Sequence, residues 1–209
     1  MKYNTDCNLL VRQIAVLSEW KRDMTEKGLF SVKELVLRCN QIEQTLHARL
    51  QRLATEPFYS TNTHPGHASR EKPSTFCNDH VVRKITQVFA QAAGVYLNVL
   101  VSGPNPDIPE VSQGVKNTLA ALKELPEPKY LRHAVWPFCI AGCMATKDWR
   151  QSFRELASGA GIHLGIFGTA GRAMEVMETC WKIRDEGVFP IGCDWLDAMN
   201  WMGQRILLI

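Results

Sequence analysis

Apolar residues recur along this chain at spacings of three, four and seven, the period that lines them up on one face of an α-helix. Cys7, Leu10, Ile14, Leu17 and Met24 make the first stripe, with Asn4, Thr5 or Asp6 placed to cap its start and Gly28 to end it. Ser31 followed three residues later by Glu34 reads as a capping box. It opens a second helix with the stripe Leu35, Cys39, Ile42, Leu46, Leu50 and Leu53 and a solvated face of Arg38, Gln41, Glu43, Gln44, Arg49 and Arg52. Residues 55–78 then break the pattern with three prolines, a glycine and many Ser, Thr and Asn, the composition of a flexible linker.

The periodicity resumes after Asn78 or Asp79, either of which can cap a long helix carrying Val82, Ile85, Phe89, Ala92, Tyr96 and Val99. Gly103, Pro104 and Pro106 stop it. Asp107 is placed to cap the next helix, with Pro109 in the first turn, Glu110 reaching back, and Val111, Val115, Leu119 and Leu122 on the buried face. After the stop at Pro126 and Pro128 comes a stretch, Ala134 to Thr146, with no charged residue at all. A helix apolar all round belongs in an interior, and this one is too short to span a bilayer. It therefore reads as a buried central helix, with a kink or a helix start at Pro137. Lys147 or Asp148 begins a short helix bearing Trp149, Phe153 and Leu156; Ala170, Met174, Met177 and Trp181 mark another that ends at Gly187; Asp194 caps a last one with Trp195, Met199 and Met202, before an apolar tail. No strand-like alternation longer than a few residues and no internal repeat occurs. The pattern predicts an all-α fold, about seven or eight helices around the buried central helix. It divides into a hairpin over 1–54, a flexible linker over 55–78 and a helical body over 79–209, the hairpin packing on the body because two helices alone bury little.

Composition changes this picture little. The hydrophobic fraction is 45% and the charged fraction 22%, ordinary values for a globular chain. Twenty-four basic against 21 acidic residues, scattered, give no basic stripe of the kind that nucleic-acid binding needs. Seven irregularly spaced cysteines, several inside apolar stripes, indicate reduced packing thiols rather than a disulfide framework. The N-terminus lacks the apolar core of a signal peptide, and no run reads as a membrane span, so no membrane association is expected.

Four candidate sites emerge. Cys139 and Cys143 share a helix face with His133 near by, but a structural zinc site wants four ligands and no second pair exists, so packing is the expected role. Gly159, Gly161, Gly165, Gly168 and Gly171 form a glycine-rich connection that misses the phosphate-binding spacing; a mobile helix–helix loop beside a pocket is the functional alternative. Trp136, Phe138, Ile140, Met144, Met177, Trp181, Trp195 and Met199 form a soft aromatic–thioether cluster, either plain core or an apolar pocket or partner groove. A His/Cys/Asp set can be drawn from His133, Cys139 and Asp148, but no established catalytic motif is present, and no catalytic residue, cofactor or metal is expected.

The segment LRHAVWPFCIAGCMATKDWR resembles the W-P-x-x-I-A-G-C-x-A helix of the fungus-specific transcription factor domain, the C-terminal regulatory domain of fungal zinc-cluster regulators. ITQVFAQAAGVYLNVLVSG, IPEVSQGV, MEVMETCWKIRDEG and the closing Asp194, Trp195, Gly203 and ILLI resemble further stretches of that domain in the same order. The resemblance covers most of residues 30–209. It implies a non-enzymatic, nuclear, all-α domain that controls gene expression, with partners in the transcription machinery or self-association, and in some members an apolar effector. The family reads DNA through an N-terminal cluster of six cysteines. This chain has no Cys-x2-Cys pair, so it is expected not to contact DNA in that manner. The alternative is a module sensing a lipid or sterol-like molecule, which requires a sizeable apolar cavity.

Overall fold

The chain folds as a run of helices: α1 (Lys2–Glu26), α2 (Val32–Thr55), α3 (Ser74–Ser102), α4 (Pro109–Lys123), a 3-10 helix (Pro128–His133), α5 (Val135–Cys143), α6 (Lys147–Gly159), α7 (Thr169–Asp185) and α8 (Trp195–Trp201). The structure, a computed structural model, describes residues 2–55, 74–162, 168–189 and 192–206, with the backbone alone at 2–8, 54 and 74–79. Among the described residues there is no strand, and the all-α class stands.

Two helices share the centre. The uncharged run is α5, as expected, and all of its residues except Trp136 are buried. Pro137 makes a start and not a kink. It is the third residue of α5, and the first i→i−4 bond runs from the Phe138 N–H to the Ala134 carbonyl (2.9 Å), so its missing donor is one the first turn does not use. The second central element is α3. One side of it, with Val88, Val95 and Val99, joins a large core made with α4, α5, α6, α7 and α8. The other, with Ala90, Ala93, Leu97 and Leu100, closes a smaller core with Leu10, Ile14 and Leu17 of α1 and Leu35, Cys39 and Leu46 of α2. Burying an aliphatic side chain of this kind stabilises by roughly 1.5–3 kcal/mol, so the smaller core holds α1 and α2 to α3 while the large core holds α4 to α8 to it.

Contrary to the sequence expectation, one helix is long and apolar enough over His80–Ser102 to cross a membrane. Uncharged Thr, Gln, Gly and Asn interrupt its apolar runs and hid its length. Half of the critical window is buried inside the protein, between the two cores, which is the environment that composition serves here.

Several helix ends differ from the expected ones. α1 begins at Lys2, ahead of the proposed caps at 4–6. α3 begins at Ser74, ahead of Asn78 and Asp79, because the stretch's last proline is Pro73 and neither Asn nor Asp breaks a helix. Ile108, not Asp107, is the N-cap of α4; the Asp107 N–H is turned to the Asn105 side chain (3.0 Å), while Pro109 does sit in the first turn. Only half of the capping box at Ser31 is made: the Glu34 N–H donates to Ser31 Oγ at 3.4 Å, and the Glu34 carboxylate pairs with Arg38 instead (2.6 Å). Asp194 behaves as expected, its carboxylate accepting from the Leu196 and Asp197 N–H groups while Asp197 returns the bond. Gly187 ends α7 in the left-handed region (φ 65°), letting its N–H and that of Val188 reach the Arg184 and Ile183 carbonyls (both 3.1 Å).

Candidate functional site

The C-terminal end of α5 leaves carbonyls without helical partners and carries the negative end of the helix dipole. α7 supplies what they need. Trp181 donates its indole N–H to the Gly142 carbonyl at 2.8 Å, and both residues are buried. Three residues on, Arg184 donates from Nη2 to the carbonyls of Cys143 and, at 3.4 Å, Ala145. The spacing of Trp181 and Arg184 is one helical turn, which is why both reach the same end. Gly142 lets the helices meet: a Cβ there would sit 2.7 Å from Met177 Sδ.

α6 closes the outside of this joint. The guanidinium of Arg154 lies 4.9 Å and that of Arg150 5.5 Å from the Trp181 ring centroid. Each arginine is then fixed by α7. Arg150 grips Asp185 through two bonds (2.6 and 3.0 Å), and Arg154 grips Glu178 likewise (2.6 and 2.8 Å). Hydrogen bonds from Arg150, with the charges of Lys147 and Arg184 added, hold the Asp185 carboxyl below the usual carboxylate range.

Of the eight residues singled out for a pocket or partner groove, Trp195 lines an apolar cavity of about 330 Å³ with Tyr96, Val99 and Leu100. Phe138, Ile140, Met144, Met177 and Trp181 are at most 1% exposed and belong to one packed core with Met199. These side chains fill the volume an apolar ligand would need, so the lipid or sterol-sensing alternative is not supported. Trp195 belongs to the same core, the partly buried Trp136 packs against it, and both contact Tyr96. Trp136 packs edge-on to Tyr96 at 6.3 Å and stacks on Phe89 at 5.8 Å; Trp195 meets Tyr96 edge-on at 5.0 Å. Tyr96 and Trp136 touch both cores and so form the seam between them.

The glycine connection is narrower than the sequence suggests. Gly159 is the last residue of α6, Gly168 is the N-cap of α7 and Gly171 is buried in its first turn; Gly161 lies between the helices and Gly165 falls outside the described residues.

The thiols are structural. Cys139, Cys143, Cys180 and Cys193 are wholly buried, and Cys180 Sγ donates to the Cys193 carbonyl at 3.0 Å and the Cys143 carbonyl at 3.6 Å. Burial pushes the Cys143 thiol well up; Cys180 is raised first by its contact with Cys143, and Cys193 by its contact with Cys180. His133 and Asp148 are exposed while Cys139 is buried, so the imagined His/Cys/Asp set is not assembled. Among the described residues no three His, Cys, Asp or Glu side chains are grouped to hold a metal ion.

The arginine–carboxylate pairs around Trp181 escaped the sequence reading. Their signal was present as Trp-x-x-Arg-Asp in α7 and as two arginines four apart in α6, but each half reads alone as a solvated helix face.

The chain belongs to the family of the fungal specific transcription factor domain, whose profile matches residues 3–209. It is 33% identical over 206 residues to the transcription factor dibT of Pestalotiopsis microspora, covering 95% of this chain and 32% of that protein. It is 31% identical over 204 residues to the ustiloxin B cluster transcription factor ustR of Aspergillus flavus, covering 95% and 33%. A trichothecene biosynthesis transcription regulator of Trichoderma arundinaceum is 29% identical over 201 residues, covering 96% and 42%. The chain thus spans about a third of the length of the first two relatives. No solved structure matches it.

Proposed function

We propose that this chain is the regulatory part of a nuclear transcription regulator that controls the genes of one biosynthetic pathway. The observation that carries the reading is the family match along nearly the whole chain, joined by relatives named for single pathways. The domain acts by binding protein partners of the transcription machinery or a second copy, and without catalysis of its own. DNA is read through a zinc cluster, for which this chain has no cysteine pair. A partner on one core biases the other through the seam at Trp136 and Tyr96. Deleting the encoding gene and comparing transcripts with the parent strain tests this. A concerted change in one set of biosynthetic genes is expected; an unaltered transcript profile under producing conditions overturns it.

A further inference from the structure

α2 and α4 both pack on α3, and a groove of about 360 Å³ stays open between them. Ala90, Gly94 and Leu97 of α3 make its floor, Leu46 and Leu50 of α2 stand on one side, and the start of α4 on the other. The groove thus straddles the hairpin and the body. Both sides run out of it onto exposed apolar residues. Ala90, Gly94, Leu97 and Val101 follow one another at steps of four, three and four, so they form one stripe along α3, about 17 Å or three turns long. Val101, at its end, is exposed. On α2, Val36 lies two turns before Glu43 of the wall and Val32 one turn before that, on the same face, and both are exposed. Aliphatic side chains gathered at the mouth of a groove mark an interaction surface.

Gly94 points the same way. A glycine inside a helix lowers its stability relative to alanine, and it serves where another group must come close. Gly142 and Gly114 have that reason inside the fold: a Cβ would sit 2.7 Å from Met177 Sδ and 2.9 Å from Val95 Cγ2. Gly94 does not. It lies well inside α3 without a positive φ, and a Cβ there would meet Leu46 Cδ2 at 3.5 Å, an ordinary contact, and nothing nearer. The close approach it permits is therefore to whatever enters the groove.

The walls carry one sign of fixed charge. No lysine or arginine lines them, in a chain with more basic than acidic residues overall. Glu43 and Glu110 stand one on each side, both exposed and neither in an ion pair among the described residues. His47 turns its Nδ1 to the Glu43 backbone carbonyl at 3.1 Å.

We propose that this groove takes an amphipathic α-helix of a protein partner. A large apolar side chain sits over Gly94, further anchors follow along the stripe to Val101, and lysines or arginines on the helix flanks meet Glu43 and Glu110. Three turns of stripe suit the i, i+4 and i+7 anchors of a docked helix, and the charges at the rim set its orientation and speed its encounter. Such a helix touches α2, α3 and α4 together, so it ties the hairpin to the body. The inference rests on the reading of the domain as a partner-binding module and deepens it.

The test uses the purified full chain and two fluorescently labelled peptides of about 18 residues, long enough to form a helix. Both carry the same leucine stripe; lysines flank it in one and glutamates in the other. Fluorescence anisotropy is expected to show saturable binding of the lysine peptide, and binding of the glutamate peptide weaker by roughly tenfold or more at equal ionic strength. Gly94→Leu fills the floor and should weaken the lysine peptide by roughly tenfold or more, with Tm at or above wild type because leucine is the better helix former. Glu43→Lys changes an exposed side chain, so Tm should stay close to wild type while the preference for the lysine peptide shrinks. No saturable binding of the lysine peptide overturns the proposal, as does binding left intact by Glu43→Lys or by a folded Gly94→Leu. No gene enters this readout, so its failure removes the groove and leaves the transcript test of the wider reading standing.

Discussion

The indole of Trp181 in α7 and the carbonyl of Gly142 in α5 are joined at 2.8 Å inside the core, and the same carbonyl also accepts from the Ala145 N–H at 3.0 Å. Trp181→Phe therefore leaves the carbonyl with one partner and loses the ring's second lobe; a loss of about 1–2 kcal/mol is expected. Trp181→Ala empties the joint and also frees Arg150 and Arg154 from their ring, for a loss of about 3–5 kcal/mol. Urea unfolding of the three proteins measures both steps.

Gly142 and Met177 are coupled through space. A methyl at 142 would meet the Met177 thioether, which is fully buried and has little room to swing away. Gly142→Ala is expected to cost about 1–3 kcal/mol. In a Met177→Ala background the same substitution should cost less or even stabilise, since it then fills space. A double-mutant cycle reads the sign; equal costs in both backgrounds would show that the helices do not approach this closely.

The α8 cap gives a pH signature. Burial, with the neighbouring Asp197, raises the Asp194 carboxyl to about 6, although the backbone N–H groups it accepts oppose the shift. A folded-state value above the unfolded one means that the protonated form favours folding. That stability is fully present below the unfolded carboxylate range near 4 and is lost as the pH rises through 6, by roughly 2–3 kcal/mol. Asp185 works in the opposite sense, its stabilisation being lost as the pH falls through its lowered value. Asp194→Asn keeps a side-chain acceptor for the cap and should remove the decline between pH 4.5 and 7. Chemical denaturation across that range gives the comparison.

The buried thiols are expected to resist alkylation. Only the thiolate attacks, and Cys139, Cys143, Cys180 and Cys193 are closed off from solvent, three of them with raised values. Iodoacetamide labelling followed by mass spectrometry should leave these four unmodified in the native chain and modify them in urea. Labelling of Cys180 in the native chain would show that α7 opens readily.

Much of this was legible in the residues. Period-3.6 stripes located the helices, the uncharged run located α5, and Asp194 announced its own cap. Ends were less legible: Asp107 had the right chemistry for a cap, but its backbone N–H was taken by Asn105 first. The site was the least legible. Trp and Met at helical spacing mark burial but cannot say whether they surround a space or fill it. That depends on Met177 reaching Gly142 across 35 residues of chain, a contact no local pattern records.

The central claim is that this helical domain, closed at α5 and α7, sustains transcriptional control of one pathway. Replacing the native allele with Trp181→Ala, and in parallel with wild type carrying the same tag, tests it most directly when transcripts are read at matched protein levels. The Trp181→Ala strain is expected to reproduce the deletion strain's change in one biosynthetic gene set while the wild-type replacement restores the parent's levels. Parental transcript levels in the Trp181→Ala strain, with the domain shown to be unfolded, would contradict the account.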